Sequence, residues 1–84
     1  MPHTPGNEAY DYAERLRARL PRRLQEIREA AGVSRYGLEK RAAVSRDTIG
    51  DFESGRTLPG FHVAARLAHG LNLTLWQFVK KIEE

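Results

Sequence analysis

Apolar residues recur every three or four positions along most of the chain, which is the periodicity of amphipathic helices. The pattern predicts a first helix over residues 8–31 with Asn7 as its N-cap. We expect this helix to be kinked or split at Pro21, because proline lacks a backbone N–H and crowds the preceding turn. Gly32 follows where a left-handed C-terminal cap is needed. The residues that recur with this spacing are Tyr12, Leu16, Leu20, Leu24, Ile27 and Ala31.

Four shorter helices are predicted after Gly32. Ser34, Ser45 and Thr74 each precede a segment with helical spacing, and these residue types are preferred at helix N-caps. A fourth helix is predicted over residues 61–70, and no stretch has the alternation of a strand. The sequence therefore predicts an all-α single domain over residues 8–84, after a flexible tail at residues 1–7. Leu38, Ala42, Ile49 and Phe52 are expected to face inward, and the fourth and fifth helices carry apolar residues at helical spacing: Val63, Ala64, Leu67, Ala68, Leu75, Phe78, Val79 and Ile82.

The composition excludes several kinds of site. The 84 residues include no cysteine, so disulfides and thiolate zinc sites are absent. His3, His62 and His69 have no complementary ligands at metal-binding spacing, so we expect no metal and no cofactor. The sequence contains no nucleophile elbow and no glycine-rich phosphate loop, so we expect a protein that is not an enzyme. The chain has neither a long apolar run nor a secretory signal pattern at its start, which predicts a cytoplasmic protein without a membrane span.

Charge adds a mild preference for an anionic partner. The 14 Lys and Arg residues exceed the 11 Asp and Glu residues, which gives a net charge of +3 and a pI near 9.7. Eleven of the 14 cations are arginine, whose planar guanidinium matches phosphates and guanine edges. A net charge of +3 is common, however, and by itself does not identify a nucleic-acid-binding protein.

The segment over residues 34–56, SRYGLEKRAAVSRDTIGDFESGR, carries the most specific signal. It contains two short capped helices separated by about three residues. Such a tight joint makes the helices cross steeply, as in a helix-turn-helix, where the second helix enters the DNA major groove and the first braces it. Leu38 and Ala42 would pack beneath Ile49 and Phe52, with Val44 filling the corner. The residues left on the outer face of the second helix are Arg46, Asp47, Gly50 and Asp51.

The order of motifs around this segment resembles the Cro/CI-repressor-like (XRE) helix-turn-helix family. The resemblance covers residues 20–79 and implies a five-helix lambda-repressor-like DNA-binding domain with an extended N-terminal helix and a helix-turn-helix unit at about residues 34–54. The matching fragments are Arg23-Leu24-Gln25-Glu26-Ile27-Arg28, Ala31-Gly32-Val33-Ser34, Leu38, Val44-Ser45-Arg46-Asp47-Thr48-Ile49, Glu53-Ser54-Gly55, Pro59 and Leu67-Ala68-His69-Gly70-Leu71-Asn72-Leu73-Thr74-Leu75.

The resemblance also implies roles for individual residues. Arg28 and Glu53 are expected to form a structural salt bridge. The backbone amides that open the second and third helices are expected to face phosphates, since a helix N-terminus attracts anions. The expected base-reading residues are Arg46, Asp47, Gly50 and Asp51, and the expected phosphate contacts are Arg35, Tyr36, Ser45, Thr48, Arg56 and Thr57.

The sequence departs from the family pattern at several positions. Arg35 stands where glutamine is usual, Glu39 where a small alanine is usual, and Ala43 where glycine usually makes the turn. A left-handed alanine costs about 1 kcal/mol, so an adjusted turn is one expectation. The predicted recognition helix is also acidic, and Asp47 and Asp51 would repel phosphate unless they accept hydrogen bonds from bases such as cytosine.

The sequence is compatible with two interpretations of several residues. Asp47 either stabilises the helix start electrostatically or reads a base. Tyr36 is either a phosphate donor or a half-buried packing residue. The arginines between residues 15 and 23 either form a solvated face or an arm along DNA. Trp76 is either a core residue or part of a dimer interface, which Val79 and Ile82 would share.

Two functions from different classes follow. The first is a sequence-specific transcriptional regulator: a homodimeric repressor that binds double-stranded DNA and reads a palindromic operator through the helix starting at Ser45. The long N-terminal helix and the Trp76 surface are its two candidate dimer interfaces. The second is a protein-interaction module on the same scaffold, with a toxin or a polymerase subunit as its partner and with weak or no DNA binding.

Overall fold

The computed structural model describes residues 6–84, which form five helices and no strand. Residues 1–5 of the expected N-terminal tail lie outside the described residues. The helices are α1 (Glu8–Ala30), α2 (Arg35–Ala42), α3 (Arg46–Ser54), α4 (Phe61–Gly70) and α5 (Leu75–Glu83). The all-α expectation is confirmed.

Of the two expectations at Pro21, a kink or a split, the split is wrong, because α1 continues through the proline. Leu16 and Leu20 before Pro21 pack on the same core as Leu24 and Ile27 after it. Burial of both halves on one core offsets the loss of a single backbone hydrogen bond. Tertiary packing therefore overrides the local preference of the proline.

The predicted helix ends are confirmed by their capping contacts. Gly32 has φ +71°, and the amides of Gly32 and Val33 donate to the carbonyls of Glu29 and Arg28. This pattern closes the last turn of α1, and Val33 is buried beside it. The side-chain oxygens of Asn7, Ser34, Ser45 and Thr74 accept from backbone amides at the starts of α1, α2, α3 and α5, respectively.

The core lies among the five helices, each of which contributes buried side chains. Helix α1 packs against α3 and α5, while α2 packs against α3 and α4. The largest side chains with almost no exposure are Leu24, Leu38, Ile49, Leu67 and Phe78, one from each helix. Gly70 lets α4 approach α2 closely, because a Cβ there would lie 2.9 Å from Leu38 Cδ1. This core fixes α2 and α3 relative to the rest of the chain.

The turn between α2 and α3 consists of Ala43, Val44 and Ser45, here called the corner. Ala43 has φ 57° and ψ 41°, so the corner keeps the left-handed geometry and is not adjusted to suit alanine. Arg66 on α4 donates to the carbonyls of Ala42 and Ala43. Because a guanidinium binds the last carbonyls of α2, it stabilises the helix end and the strained residue after it.

Two arginines of α1 bind the end of α5. Arg19 Nε donates to the Ile82 carbonyl at 3.1 Å, and Arg23 Nε donates to the Lys81 carbonyl at 2.9 Å. The basic run between residues 15 and 23 is therefore neither a uniform solvated face nor a uniform arm. Two of its members satisfy the unpaired carbonyls that every helix C-terminus leaves.

Along residues 6–84, no helix combines the length and the apolar character that a bilayer span requires.

Candidate nucleic-acid interface

Helix α3 presents one face to the core and the opposite face to solvent. Ile49, Phe52 and Glu53 are buried, whereas Arg46 and Asp47 are exposed and Gly50 and Asp51 are partly exposed. The cap at Ser45 starts the helix, and Val44 fills the corner beneath it. The four expected base-reading residues therefore lie together on the outward side of α3.

A buried carboxylate ties α3 to α1 and α2. Glu53 accepts from Arg28 at 2.7 and 3.1 Å and from Arg35 at 3.0 Å, and its side chain is 1% exposed. Arg28 also donates to the Val33 carbonyl at 2.9 Å. The hydrogen bond to Glu53 raises the pKa of Arg28 above its usual value. The structure thus brings Arg28 and Glu53 together and adds Arg35, which the sequence did not associate with them.

Arg35 lies across the outer side of α3. A Cβ added at Gly50 would lie 3.6 Å from Arg35 Nη1, so the guanidinium passes over this glycine. Arg35 remains half-exposed while its Nε binds Glu53. Its guanidinium is therefore held beside α3, with some of its N–H groups facing solvent. A fixed guanidinium in this position is suited to a phosphate that flanks α3.

Tyr36 is half-exposed and lies between two cations. Its ring centroid is 5.0 Å from Arg46 Cζ and 5.2 Å from Lys40 Nζ. Cations at such distances are attracted to the ring face. The ring therefore supports Arg46 beside the start of α3, while the tyrosine keeps an exposed position next to both cations.

The first amide of α3 already has a partner. Glu39 Oε1 accepts from the backbone N–H of Arg46 at 2.8 Å, and the same oxygen lies 3.5 Å from Arg46 Nε. The hydroxyls of Ser45 and Thr48 are 2.8 Å apart, and Ser45 Oγ also accepts from the Thr48 amide. The start of α3, expected to face a phosphate, is thus occupied by side chains of this chain. The departure at position 39 was visible in the sequence, but its contact with Arg46 was not.

Arg56 and Thr57 follow α3 at the other end of the outward face. The amides of both residues donate to the Asp51 carbonyl, and Arg56 Nε lies 3.7 Å from Asp51 Oδ1. Arg56 is therefore the third flanking arginine, after Arg35 and Arg46, with a carboxylate within 4 Å. The outward face carries both signs of charge in close pairs.

The three candidate dimer residues do not share one surface. Trp76 is 69% exposed, so the core interpretation of this residue is wrong. Ile82 is 4% exposed and belongs to the core, and it also lines the base of an apolar groove. Helical spacing accounts for the difference, because position 82 falls on the side of α5 that carries buried Phe78. Val79 lies between the two sides and lines an apolar groove with α1 residues Leu16 and Leu20.

No cluster of three or more His, Asp or Glu side chains suited to a metal ion occurs in the part of the chain that the structure describes.

A family model described as a helix-turn-helix domain matches residues 19–75, which is more than half of the chain. No curated protein and no solved structure matches the chain. The matched residues include both helices at the corner, the Glu53 cluster and the outward face of α3, in agreement with the resemblance to the XRE family. The chain belongs to the helix-turn-helix domain family.

Proposed function

We propose that the protein is a sequence-specific DNA-binding regulator of transcription that inserts α3 into the major groove. The observation that carries this proposal is the outward face of α3, held rigidly by the buried Glu53 cluster and the corner. A rigid, projecting helix with flanking arginines satisfies the geometry of groove recognition. The protein acts by binding and not by catalysis, and we expect it to act in the cytoplasm.

The outward residues divide into two roles in this proposal. Arg46, Asp47, Gly50 and Asp51 contact base edges, while the phosphate contacts come from Arg35, Tyr36, Ser45, Thr48, Arg56 and Thr57. Exposed ion pairs contribute only about 0–1 kcal/mol, so Arg46 and Arg56 can exchange their carboxylates for DNA at little cost. Arg35 keeps its bond to buried Glu53 and offers its exposed donor edge to a phosphate. Carboxylates facing bases favour cytosine, whose N4 amino group donates a hydrogen bond. We therefore expect cytosine at the positions that face Asp47 and Asp51.

A second copy of the chain completes the binding unit. Trp76 and Val79 on α5 form the proposed contact, with the neighbouring groove of about 250 Å³ between α1 and α5 as its continuation. An exposed tryptophan beside an apolar groove favours burial against another protein surface. A two-fold dimer would read a palindrome with half-sites about 34 Å apart or at a multiple of that distance. Bound over a promoter, the dimer would act as a repressor.

Selection of bound sites from random DNA, followed by affinity titrations, tests this function. We expect an enriched half-site, arranged as an inverted repeat, and binding that weakens steeply with salt. Arg46→Ala should relax the preference at one base pair, which normally corresponds to about 1–3 kcal/mol of discrimination. Arg22→Ala is the matched control, because Arg22 is an exposed arginine on α1 without an acidic partner within residues 6–84. An Arg46→Ala variant with unchanged preferences would remove Arg46 as a base reader.

The dimer has its own test in sedimentation equilibrium with and without the selected DNA. Trp76 is the only tryptophan of the chain, so its fluorescence reports burial at the interface directly. We expect a blue shift with increasing protein concentration and a monomeric Trp76→Ala variant. A monomer at every concentration, with a single half-site selected, would refute the dimer. Transcription from a promoter that carries the selected site would then distinguish repression from activation.

The alternative function is a protein-interaction module with a toxin or a polymerase subunit as its partner. The carboxylates of Glu39, Asp47 and Asp51 on or beside the outward face favour it, because they oppose phosphate binding. Absence of any DNA binding at low salt would exclude the regulator and leave this alternative.

A further inference from the structure

Resting on the proposed function, we propose that Glu39 is the positioning residue that sets sequence discrimination. It holds Arg46 in the orientation that reads a base pair, and its charge lowers the affinity for DNA of any sequence.

The positioning role follows from two contacts made by one carboxylate oxygen. Glu39 Oε1 accepts from the Arg46 amide at 2.8 Å and lies 3.5 Å from Arg46 Nε. The oxygen therefore connects α2 to both the backbone and the side chain of the residue that opens α3. Neither contact involves the outer nitrogens of the guanidinium, which are the donors needed for a bidentate contact with a base.

Tyr36 restrains the same guanidinium from a second side. Its ring centroid lies 5.0 Å from Arg46 Cζ, and Tyr36 precedes Glu39 by three residues on α2. Residues three apart on a helix are neighbours, so the ring and the carboxylate hold Arg46 together. An arginine fixed before binding loses less rotamer freedom when it meets its base, and this preorganisation favours the correct contact.

The charge of Glu39 acts against DNA of any sequence. A helix N-terminus attracts phosphate, and at α3 the carboxylate of Glu39 already occupies the first amide. A phosphate approaching this point is repelled whatever the base sequence. Because specificity is a ratio of affinities, this uniform penalty lowers overall affinity and leaves the ratio unchanged, so the discrimination rests on the positioning of Arg46.

Two variants separate the two effects. Glu39→Gln removes the charge but keeps an oxygen that can accept from the Arg46 amide, whereas Glu39→Ala removes both. We expect both variants to bind random DNA several-fold more tightly than the parent, with a steeper salt dependence. The preference for the selected site should fall about tenfold in Glu39→Ala, within the range for one base contact, and less in Glu39→Gln. Glu29→Gln, at an exposed acid on α1, is the charge control and should change neither quantity.

The loss of preference should also be local. Glu39→Ala should weaken the preference at the same base pair as Arg46→Ala does. The double variant should show no greater loss of preference at that base pair than Arg46→Ala alone. In the free protein, NMR relaxation of the Arg46 Nε–H should show faster side-chain motion in Glu39→Ala than in the parent. This measurement needs no DNA and reports directly whether the contact with Glu39 restrains the Arg46 side chain.

The outcomes distinguish this inference from the function on which it rests. If the parent protein selects no DNA site, the proposed function fails and the inference fails with it. If the parent selects a site but Glu39→Ala keeps the full preference and an ordered Arg46, the inference is wrong and the function stands. A uniform gain in affinity for all DNA, with unchanged preference, would likewise refute the positioning role.

Discussion

Replacing Ala43 by glycine should stabilise the protein, and the reason lies in the corner. Ala43 has φ 57° and ψ 41°, a left-handed conformation that brings its Cβ close to the following carbonyl. The residue is exposed, so removal of its methyl group forfeits no core packing. Its carbonyl binds Arg66, and glycine keeps that carbonyl. The substitution therefore changes the backbone strain and little else in the folded state.

The expected gain in the free energy of unfolding is the backbone strain removed from the folded state minus the conformational entropy that glycine adds to the unfolded chain. The left-handed conformation costs a non-glycine residue about 1–2 kcal/mol. The greater flexibility of glycine when unfolded offsets about 0.5–1 kcal/mol of this gain. A net stabilisation of up to about 1.5 kcal/mol remains, which in a domain of this size raises the melting temperature by up to about 12 °C.

Thermal and urea unfolding followed by circular dichroism would measure this gain, with Ala31→Gly as the matched control. Ala31 is also an exposed alanine directly after a helix, but its φ is −80°. Glycine there relieves no strain, so its added flexibility should lower stability. The two variants should thus move the melting temperature in opposite directions. If Ala43→Gly matched Ala31→Gly or melted below the parent, the strain assigned to the corner would be refuted.

Three further predictions concern the core, the buried ion cluster and pH. Gly70→Ala should lower the free energy of unfolding in urea by about 1 kcal/mol or more, because the new Cβ would lie 2.9 Å from the buried Leu38 Cδ1. The cost of this overpacking exceeds the gain in helix propensity. Unchanged stability would show that α2 and α4 can move apart to accommodate the methyl group. Glu53→Gln should cost about 3–5 kcal/mol in the same assay, because it leaves its two arginines without a buried counter-charge; a smaller loss would mean that water reaches the cluster. The hydrogen bond that the Tyr12 hydroxyl donates to Glu83 raises the pKa of Tyr12. The contribution of this hydrogen bond to stability is therefore complete below the usual tyrosine pKa of 10.0 and is lost as the pH rises through the raised pKa. The melting-temperature difference between parent and Tyr12→Phe should therefore be constant below about pH 9 and shrink at higher pH, and a constant difference up to pH 11 would contradict this assignment.

The features predicted correctly from the sequence depend on short-range chemistry. A serine hydroxyl reaches an amide three residues ahead, so Ser34 and Ser45 indicate helix starts without knowledge of the fold. Gly32 indicates a helix end in the same way, through its own backbone conformation. The corner was not predicted in this way, since alanine at position 43 suggested an adjusted turn and the left-handed geometry is kept.

The features that were missed depend on which elements meet. Arg19 and Arg23 bind carbonyls about 60 residues away on α5, and nothing local to α1 indicates that α5 ends beside it. The distinction between Trp76 and Ile82 has the same cause. Both are apolar and lie on one amphipathic helix, so the sequence pattern left open which side the core would cover.

The pairing of arginines with carboxylates governs how this interface would respond to salt. An arginine that binds DNA releases a counterion from the phosphate, and this release makes binding weaken with salt. At this interface Arg35, Arg46 and Arg56 each lie within 4 Å of a carboxylate before any DNA binds. When Arg46 or Arg56 exchanges its exposed carboxylate for DNA, that carboxylate attracts counterions again. Part of the release is cancelled, so the salt dependence should be shallower than the number of arginine–phosphate contacts implies. Discrimination then depends chiefly on how well the preformed pairs fit one sequence, because nonspecific attraction to the DNA backbone is kept small.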